Sequence, residues 1–253
     1  MTETAPTAAI LIIGNEILSG RTQDTNTQWI ADKLTHRGVR LLEVRVIPDN
    51  KDIIIKTVKA LQGMVTYVFT TGGIGPTHDD ITAESIAEAS GKKLVQDPVA
   101  RQMLLDHYGS EQELTEARLK MAQIPEGAKL IKNPVSGAPG FIVENIYVMA
   151  GVPRIMQAML DDVLSVMKAG PAIISNTVSC SLGESVIAKQ LEQIQLRYSN
   201  VEIGSYPHYR AGTLGLNLVL RSVDVGDLDK ATQEVIALIK GLGGEPGAIS
   251  RQA

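Results

Sequence analysis

Residues 8–13, AAILII, form an unbroken apolar run that stops at Gly14. A strand with one wet face alternates apolar and polar side chains, so a short continuous run bounded by glycine reads as a strand covered on both faces of a parallel sheet. Parallel strands need crossover connections, and the sequence supplies them in turn. Thr25 or Asn26 is a candidate cap for a helix to residue 37, closed by Gly38. Residues 39–47 then read as a strand, Pro48-Asp49-Asn50 as a turn, and 51–61 as a helix with Ile54, Val58 and Leu61 on one face. A strand over 67–70 and a helix over 81–89, ended by Gly91, complete the series. This alternation predicts an α/β chain with a doubly wound, layered sheet.

Helices over 98–108 and 111–121, strands over 129–131 and 146–149, and a helix over 153–167 follow, the last filled by Met156, Met159 and Met167 as core residues. Trp29 reads as a core residue of its helix. Ala169-Gly170-Pro171 breaks the periodicity, which sets a first domain at 1–170 and a second at 171–253. The second reads as strand 172–180, helix 184–197, strands 201–206 and 214–223, and helix 228–242, a small α+β unit with a tail from 241 expected to fray.

With 253 residues, 44% hydrophobic and 21% charged, the chain has material for one large and one small core and no tract biased toward disorder. Twenty-four basic residues against 28 acidic ones leave a formal charge of -4, scattered rather than clustered, which argues against a nucleic-acid partner. The apolar run near the N-terminus is too short for a membrane span or signal peptide, so a cytoplasmic location is expected. The lone Cys180 cannot form an intramolecular disulfide and reads as a small buried residue in a reducing compartment.

In an open α/β sheet, ligands bind beyond the carboxyl ends of the strands. The loops there carry Gly14-Asn15-Glu16, Asp49, the run Thr71-Gly72-Gly73-Ile74-Gly75-Pro76-Thr77-His78-Asp79-Asp80, and later Asn133-Pro134-Val135-Ser136-Gly137-Ala138-Pro139-Gly140. Glycine-rich backbone at a helix N-terminus offers N–H groups to phosphate oxygens. Glu16, Asp49, Asp79 and Asp80 on one rim would repel a phosphate unless a hard cation such as Mg²⁺ lay between. A bulky residue at Gly73 is expected to block phosphate approach without unfolding the chain. The bland alternatives stand beside this reading: Asp49, Asp79 and Asp80 as helix caps, Glu16 as a cap or salt-bridge partner, and His78 as a solvated loop residue. His208 reads as a surface-loop residue.

The runs GNEILSGRTQDTN (14–26), TTGGIGPTHDDIT followed by AESIAEA (70–89), PEGAKLIKNPVSGAPGF (125–141) and AGVPRIM (150–156), in this order, resemble the CinA-type molybdopterin-binding-like family, related to MogA, MoaB and the matching domain of FAD synthases. LGESVIAKQL and EIGSYPHY resemble the small KH-like module that follows in that family. The resemblance implies a three-layer αβα sandwich of the MogA/MoaB molybdopterin-binding type with a small C-terminal α+β, KH-like domain. It implies Asp49 and Asp80 as metal-holding residues, and Asp49, Asp80 and Asp79 are the catalytic candidates, with the Asp79 side chain expected to point elsewhere and to be less affected by substitution. Gly14, Asn15, Glu16, Thr71, Gly72, Gly73, Gly75, Thr77 and residues Ser136, Gly137, Ala138, Pro139 and Gly140 become substrate-binding positions. The implied activity is metal-dependent hydrolysis of ADP-ribose or FAD-like dinucleotide pyrophosphates with Mg²⁺, Mn²⁺ or Co²⁺, in a homodimer. The alternatives are molybdopterin binding or adenylyl transfer in molybdenum cofactor metabolism, or a non-catalytic nucleotide- or pterin-binding module. One departure is local: many CinA-type proteins read Lys-Gln-Ala where this chain has Lys120-Met121-Ala122.

Overall fold

β1 (Thr7–Ile13) lies inside the first sheet, and its side chains feed two cores in strict alternation. Ala8, Ile10 and Ile12 enter one apolar cluster, while Ala9, Leu11 and Ile13 enter another on the opposite face. The computed structural model describes residues 5–210 and 213–252, which divide into the units Met1–Gly170 and Pro171–Ala253.

After β1 the first unit runs through α1 (Asn15–Leu18), α2 (Asn26–His36), β2 (Arg40–Ile47), α3 (Lys51–Gln62), β3 (Tyr67–Thr71) and α4 (Thr82–Ala89). It continues with β4 (Leu94–Gln96), α5 (Pro98–Tyr108), α6 (Glu116–Lys120), β5 (Gln123–Pro125), β6 (Lys129–Ile131), β7 (Gly140–Val143), β8 (Ile146–Met149) and α7 (Pro153–Val166). The main sheet has the order β2-β1-β3-β8-β7-β6. β2, β1, β3 and β8 are parallel, and β7 runs against both β8 and β6. α2 and α7 supply Ile30, Leu34, Met156, Met159 and Leu160 to the core on one face; α3 and α4 supply Ile54, Val58, Leu61 and Ile86 to the other. The result is a three-layer αβα sandwich. Each fully buried Ile, Leu or Phe contributes about 1.5–3 kcal/mol, so two covered sheet faces are what hold β1 in place.

The second unit holds β9 (Ile174–Cys180), α8 (Glu184–Arg197), β10 (Glu202–Arg210), β11 (Thr213–Ser222), α9 (Val225–Gly241) and β12 (Ser250–Gln252). Its strands form an antiparallel sheet in the order β10-β11-β9-β12. Val178, Cys180, Leu216, Leu218 and Leu220 of that sheet pack with Ile187, Leu191, Val235 and Ile239 of the helices, an α+β unit with its own core. Cys180 is accordingly buried and unpaired.

Several expectations are corrected. The helix expected over 111–121 is broken: a single tight turn at Glu111–Glu113 ends at Leu114, and α6 restarts where the Thr115 hydroxyl accepts the Arg118 N–H at 3.4 Å. α2 begins under Asp24, whose Oδ1 accepts the N–H groups of Asn26 and Thr27 at 2.9 and 3.1 Å; neither Thr25 nor Asn26 caps it by side chain. Trp29 is 38% exposed, with Lys33 Nζ 5.0 Å from its ring centroid, so the ring shields a cation rather than filling a core. The tail does not fray throughout, because Gly247 N–H donates to Ser179 O at 2.7 Å and β12 joins β9. His208 lies within β10 with its ring against Gly215, not in a loop. Among the described residues, no helix is long and apolar enough to cross a membrane.

Candidate functional site

The parallel strands end level with one another. Thr71 pairs in register with Ile12 and Met149, Ile13 with Ile47, and Ile131 with Gly140 at the start of the reversed β7. The loops that follow β2, β1, β3 and β8, and the β6–β7 connection, therefore all open on one rim. Two backbone bonds lace it: Gly14 N–H to Ile47 O and Gly72 N–H to Met149 O, both 3.1 Å.

The carboxylates on this rim do other work than capping. Asn50, not Asp49, caps α3, its Oδ1 accepting the Ile53 N–H at 3.1 Å. Asp49 reaches across to the next loop, where its Oδ2 accepts the Asn15 N–H at 2.9 Å. α4 has no side-chain cap; Asp80 instead folds back so that its Oδ2 accepts the Thr77 N–H at 2.8 Å and lies 2.6 Å from Thr77 Oγ1. Asp79 does not turn elsewhere, since its Oδ1 is 2.5 Å from the same hydroxyl. That hydrogen bond holds the Asp79 carboxyl below the usual carboxylate range. One hydroxyl proton serves two carboxylates, which leaves this pair short of positive charge. His78, the residue before Asp79, is exposed.

The glycine loop is shaped by close approach. Gly72 has φ 103°, and a Cβ there would lie 2.1 Å from Ile13 O. Gly73 has φ 67°, and its Cβ would lie 2.2 Å from the Oγ1 of buried Thr82. A side chain at Gly73 therefore strains the fold itself, contrary to the expectation of a substitution felt only by ligand. Gly75 is different, because the atoms nearest its Cβ would be those of the Asp80 carboxylate, the closest at 2.7 Å.

Two clefts flank the rim on opposite faces of the sheet. The first, of about 410 Å³ counting space open to solvent, is walled by Gly73, Ile74, Gly75, Asp80, Ala83, Glu84, Leu94, Lys120, Met121, Gln123, Ile124, Pro139 and Phe141. Lys120 leans over it, its Nζ donating to Thr77 O. Met121 places a thioether and Gln123 an amide on the same wall. The second, of about 350 Å³, is bounded by Glu16, Thr22, Asp24, Asn26, Thr71 and Gly151 among others. The Thr71 hydroxyl and Asn26 Oδ1 beside it are buried and make no hydrogen bond within the described residues.

Of the positions read as substrate-binding, Gly73, Gly75 and Pro139 wall the first cleft together with Asp80, read as a metal-holding residue, and Glu16 and Thr71 wall the second. The rest line neither of these two clefts. Asn133 braces its own loop through Val135 N–H, Ser136 and Ala138 O, Gly137 packs on His107, and Ala138 is buried. Gly14, Asn15, Gly72 and Thr77 serve the lacing described above. Among the described residues, no three His, Cys, Asp or Glu side chains gather as a metal cluster, so the four carboxylates do not converge on one point. Lys120 stands in the Lys120-Met121-Ala122 stretch and Phe141 ends the 125–141 run, whereas Gln123 carries no sequence signal of its own for this cleft.

Residues 9–169 match the family described as "Probable molybdopterin binding domain", and residues 172–242 the one described as "FAD synthase, middle domain". The chain is 38% identical over 198 residues to a protein of Archaeoglobus fulgidus, spanning 78% of this chain and 84% of that one. It is 32% identical over 224 residues to the CinA-like protein of Kosmotoga olearia, spanning 85% of this chain and 54% of that protein. The solved structure of "the protein CinA with unknown function" from Thermoplasma acidophilum is similar at TM-score 0.61 and 36% identity, over 64% of this chain and 98% of that one.

Proposed function

This chain belongs to the CinA-type, MogA/MoaB-like family of molybdopterin-binding-like domains, and on that footing we propose that it binds a phosphate-bearing pterin, molybdopterin foremost, or a nucleotide in the first cleft. One observation carries the reading: the cleft sets the 73–75 glycine backbone and the Lys120 ammonium on a wall shared with Ile74, Leu94, Ile124 and Phe141. A flat ring takes the apolar wall, and its phosphate takes the cation and the glycine N–H groups. Gln123 would distinguish ring edges by hydrogen bonding.

A second reading, hydrolysis of ADP-ribose or FAD-like pyrophosphates, is supported by the proton-poor Asp79–Thr77–Asp80 cluster beside that cleft and by the FAD synthase match. Mg²⁺, Mn²⁺ or Co²⁺ fits hard carboxylate oxygens, and Asp49 and Asp80 are the residues that would hold it, with water and ligand phosphates as its other ligands. Bound there, it would neutralise charge on the phosphates. The chain's own part is to seat the phosphates with Lys120 and the glycine loop and to hold Asp80 in place through Thr77.

Calorimetric titration with molybdopterin, FAD, ADP-ribose and AMP, paired with an assay for AMP release at saturating Mg²⁺, tests both readings. Tight molybdopterin binding without AMP release supports the first; AMP release supports the second. Binding of none of the four overturns both.

A further inference from the structure

Lys120 ends α6, a helix of five residues with none of them buried, too short to hold a position by itself. Its place is set by the segment between β4 and β5, which folds as a lobe around Ala100, Leu104, Leu114 and Ala122. The neck of the lobe is closed by the pairing of β4 with β5, and by Asp97 N–H to Ala122 O at 2.9 Å and Glu126 N–H to Lys93 O at 2.8 Å. Ala138, from the β6–β7 connection, completes the lobe's small core from outside.

A line of contacts runs from that connection to Lys120. The connection is braced from within: Asn133 Oδ1 accepts the N–H groups of Val135 and Ser136 at 3.0 and 3.1 Å, and Gly137 N–H returns to Asn133 O at 3.1 Å. Gly137, with φ 74°, lies so close under α5 that a Cβ there would stand 2.4 Å from His107 Cβ. The His107 ring meets the half-buried Tyr108 ring edge-on, their centroids 5.0 Å apart. Over the Tyr108 ring, 4.0 Å from its centroid, lies the Arg118 guanidinium, whose Nη1 also donates to Glu113 O at 2.6 Å. An aromatic face orients a planar guanidinium as well as attracting it. Arg118 stands two residues before Lys120 in the same short helix.

We infer that Tyr108 is a positioning residue for the ligand of the first cleft: through Arg118 it holds α6 where Lys120 meets a phosphate, and the Asn133–Ala138 stretch is the base that α5 rests on. This rests on the reading that the first cleft takes a phosphate-bearing ligand. It gives the 133–138 stretch a task in binding that needs no contact with the ligand, exercised through α5 and α6.

A double-mutant cycle tests it, with affinities for molybdopterin and AMP read by calorimetry and thermal melts run beside them. Tyr108→Leu removes the aromatic face and should weaken binding about threefold or more, and flatten its salt dependence toward that of Lys120→Met. Placed on Lys120→Met, the same change should cost nothing further, because the group it positions is gone, whereas a general fold defect would weaken both backgrounds alike. Tyr108→Phe keeps the ring and should bind as the wild type does. Arg118→Lys keeps the charge but gives up the flat guanidinium, and Gly137→Ala presses on His107; both should follow Tyr108→Leu in the two backgrounds, so the outcome does not hang on the folding of one variant. Full affinity in all three variants, or equal losses with and without Lys120, overturns the inference and leaves the first cleft standing as a binding site. A wild type that binds neither molybdopterin nor AMP overturns both.

Discussion

The carboxylate of Asp49 accepts the backbone N–H of Asn15 at 2.9 Å, so the loop after β2 is tied to the loop after β1 by one charged side chain. Asn at position 49 still presents an oxygen, whereas Ala removes it. Asp49→Ala should cost about 1 kcal/mol, and Asp49→Asn much less, read as the difference in thermal midpoint between the two variants. Equal melting of the two would show that the tie contributes nothing. If Asp49→Asn keeps its midpoint but loses AMP release about a hundredfold, roughly 2.7 kcal/mol, the charge itself serves the hydrolytic reading.

Gly73 and Gly75 should separate stability from binding. Gly73→Ala meets Thr82 at a left-handed φ and should destabilise by about 1–3 kcal/mol, measured by denaturant titration. Gly75→Ala meets first the end of the Asp80 side chain and should fold normally while weakening ligand several-fold, measured by calorimetry. An unstable Gly75→Ala with full affinity would reverse the assignment.

Lys120→Met keeps the length of the side chain and removes its charge. Affinity for a phosphate-bearing ligand should fall about tenfold, or 1.4 kcal/mol, and should then vary less with salt than in the wild type. Unchanged affinity would mean that the ammonium serves only Thr77 O.

The Asp79 carboxyl titrates low because of the Thr77 hydroxyl first, then its own backbone N–H. A depressed carboxylate stabilises the fold above its unfolded pKa and loses that contribution as pH falls through the lower folded value. Thr77→Ala should therefore move Asp79 back toward the ordinary range, visible by carboxyl-carbon NMR, and should narrow the acid-side gain from this group. An unmoved titration would assign the depression to the backbone.

Where apolar spacing decides the structure, it could be read directly. The doubly covered run of β1 and the Ile54–Val58–Leu61 face of α3 have no competing periodicity, and Met156, Met159 and Met167 are buried as their spacing implies. Three-residue strands such as β4 and β12 are too short to show a period, and the break at Leu114 depends on one threonine hydroxyl. For the site, strand topology points to the right rim, because loops at carboxyl ends must meet there. Which loop residues wall a cleft and which brace it depends on tertiary approach: Lys120 arrives from α6, more than forty residues beyond Gly73, while Ser136 is turned to Asn133.

β1 alternates its side chains between two cores, and a strand built so cannot drift. Moving it by one residue would send Ile10 and Ile12 to the layer that fits Leu11 and Ile13, and only a two-residue jump, roughly 6.6 Å, restores the faces. The strand behaves as a detent: Gly14 at its end, and the Asp49 and Gly72 loops seated against it, stand at one permitted height. Variation among related chains is thereby steered into the loops, which can change their chemistry while the shelf beneath them stays level.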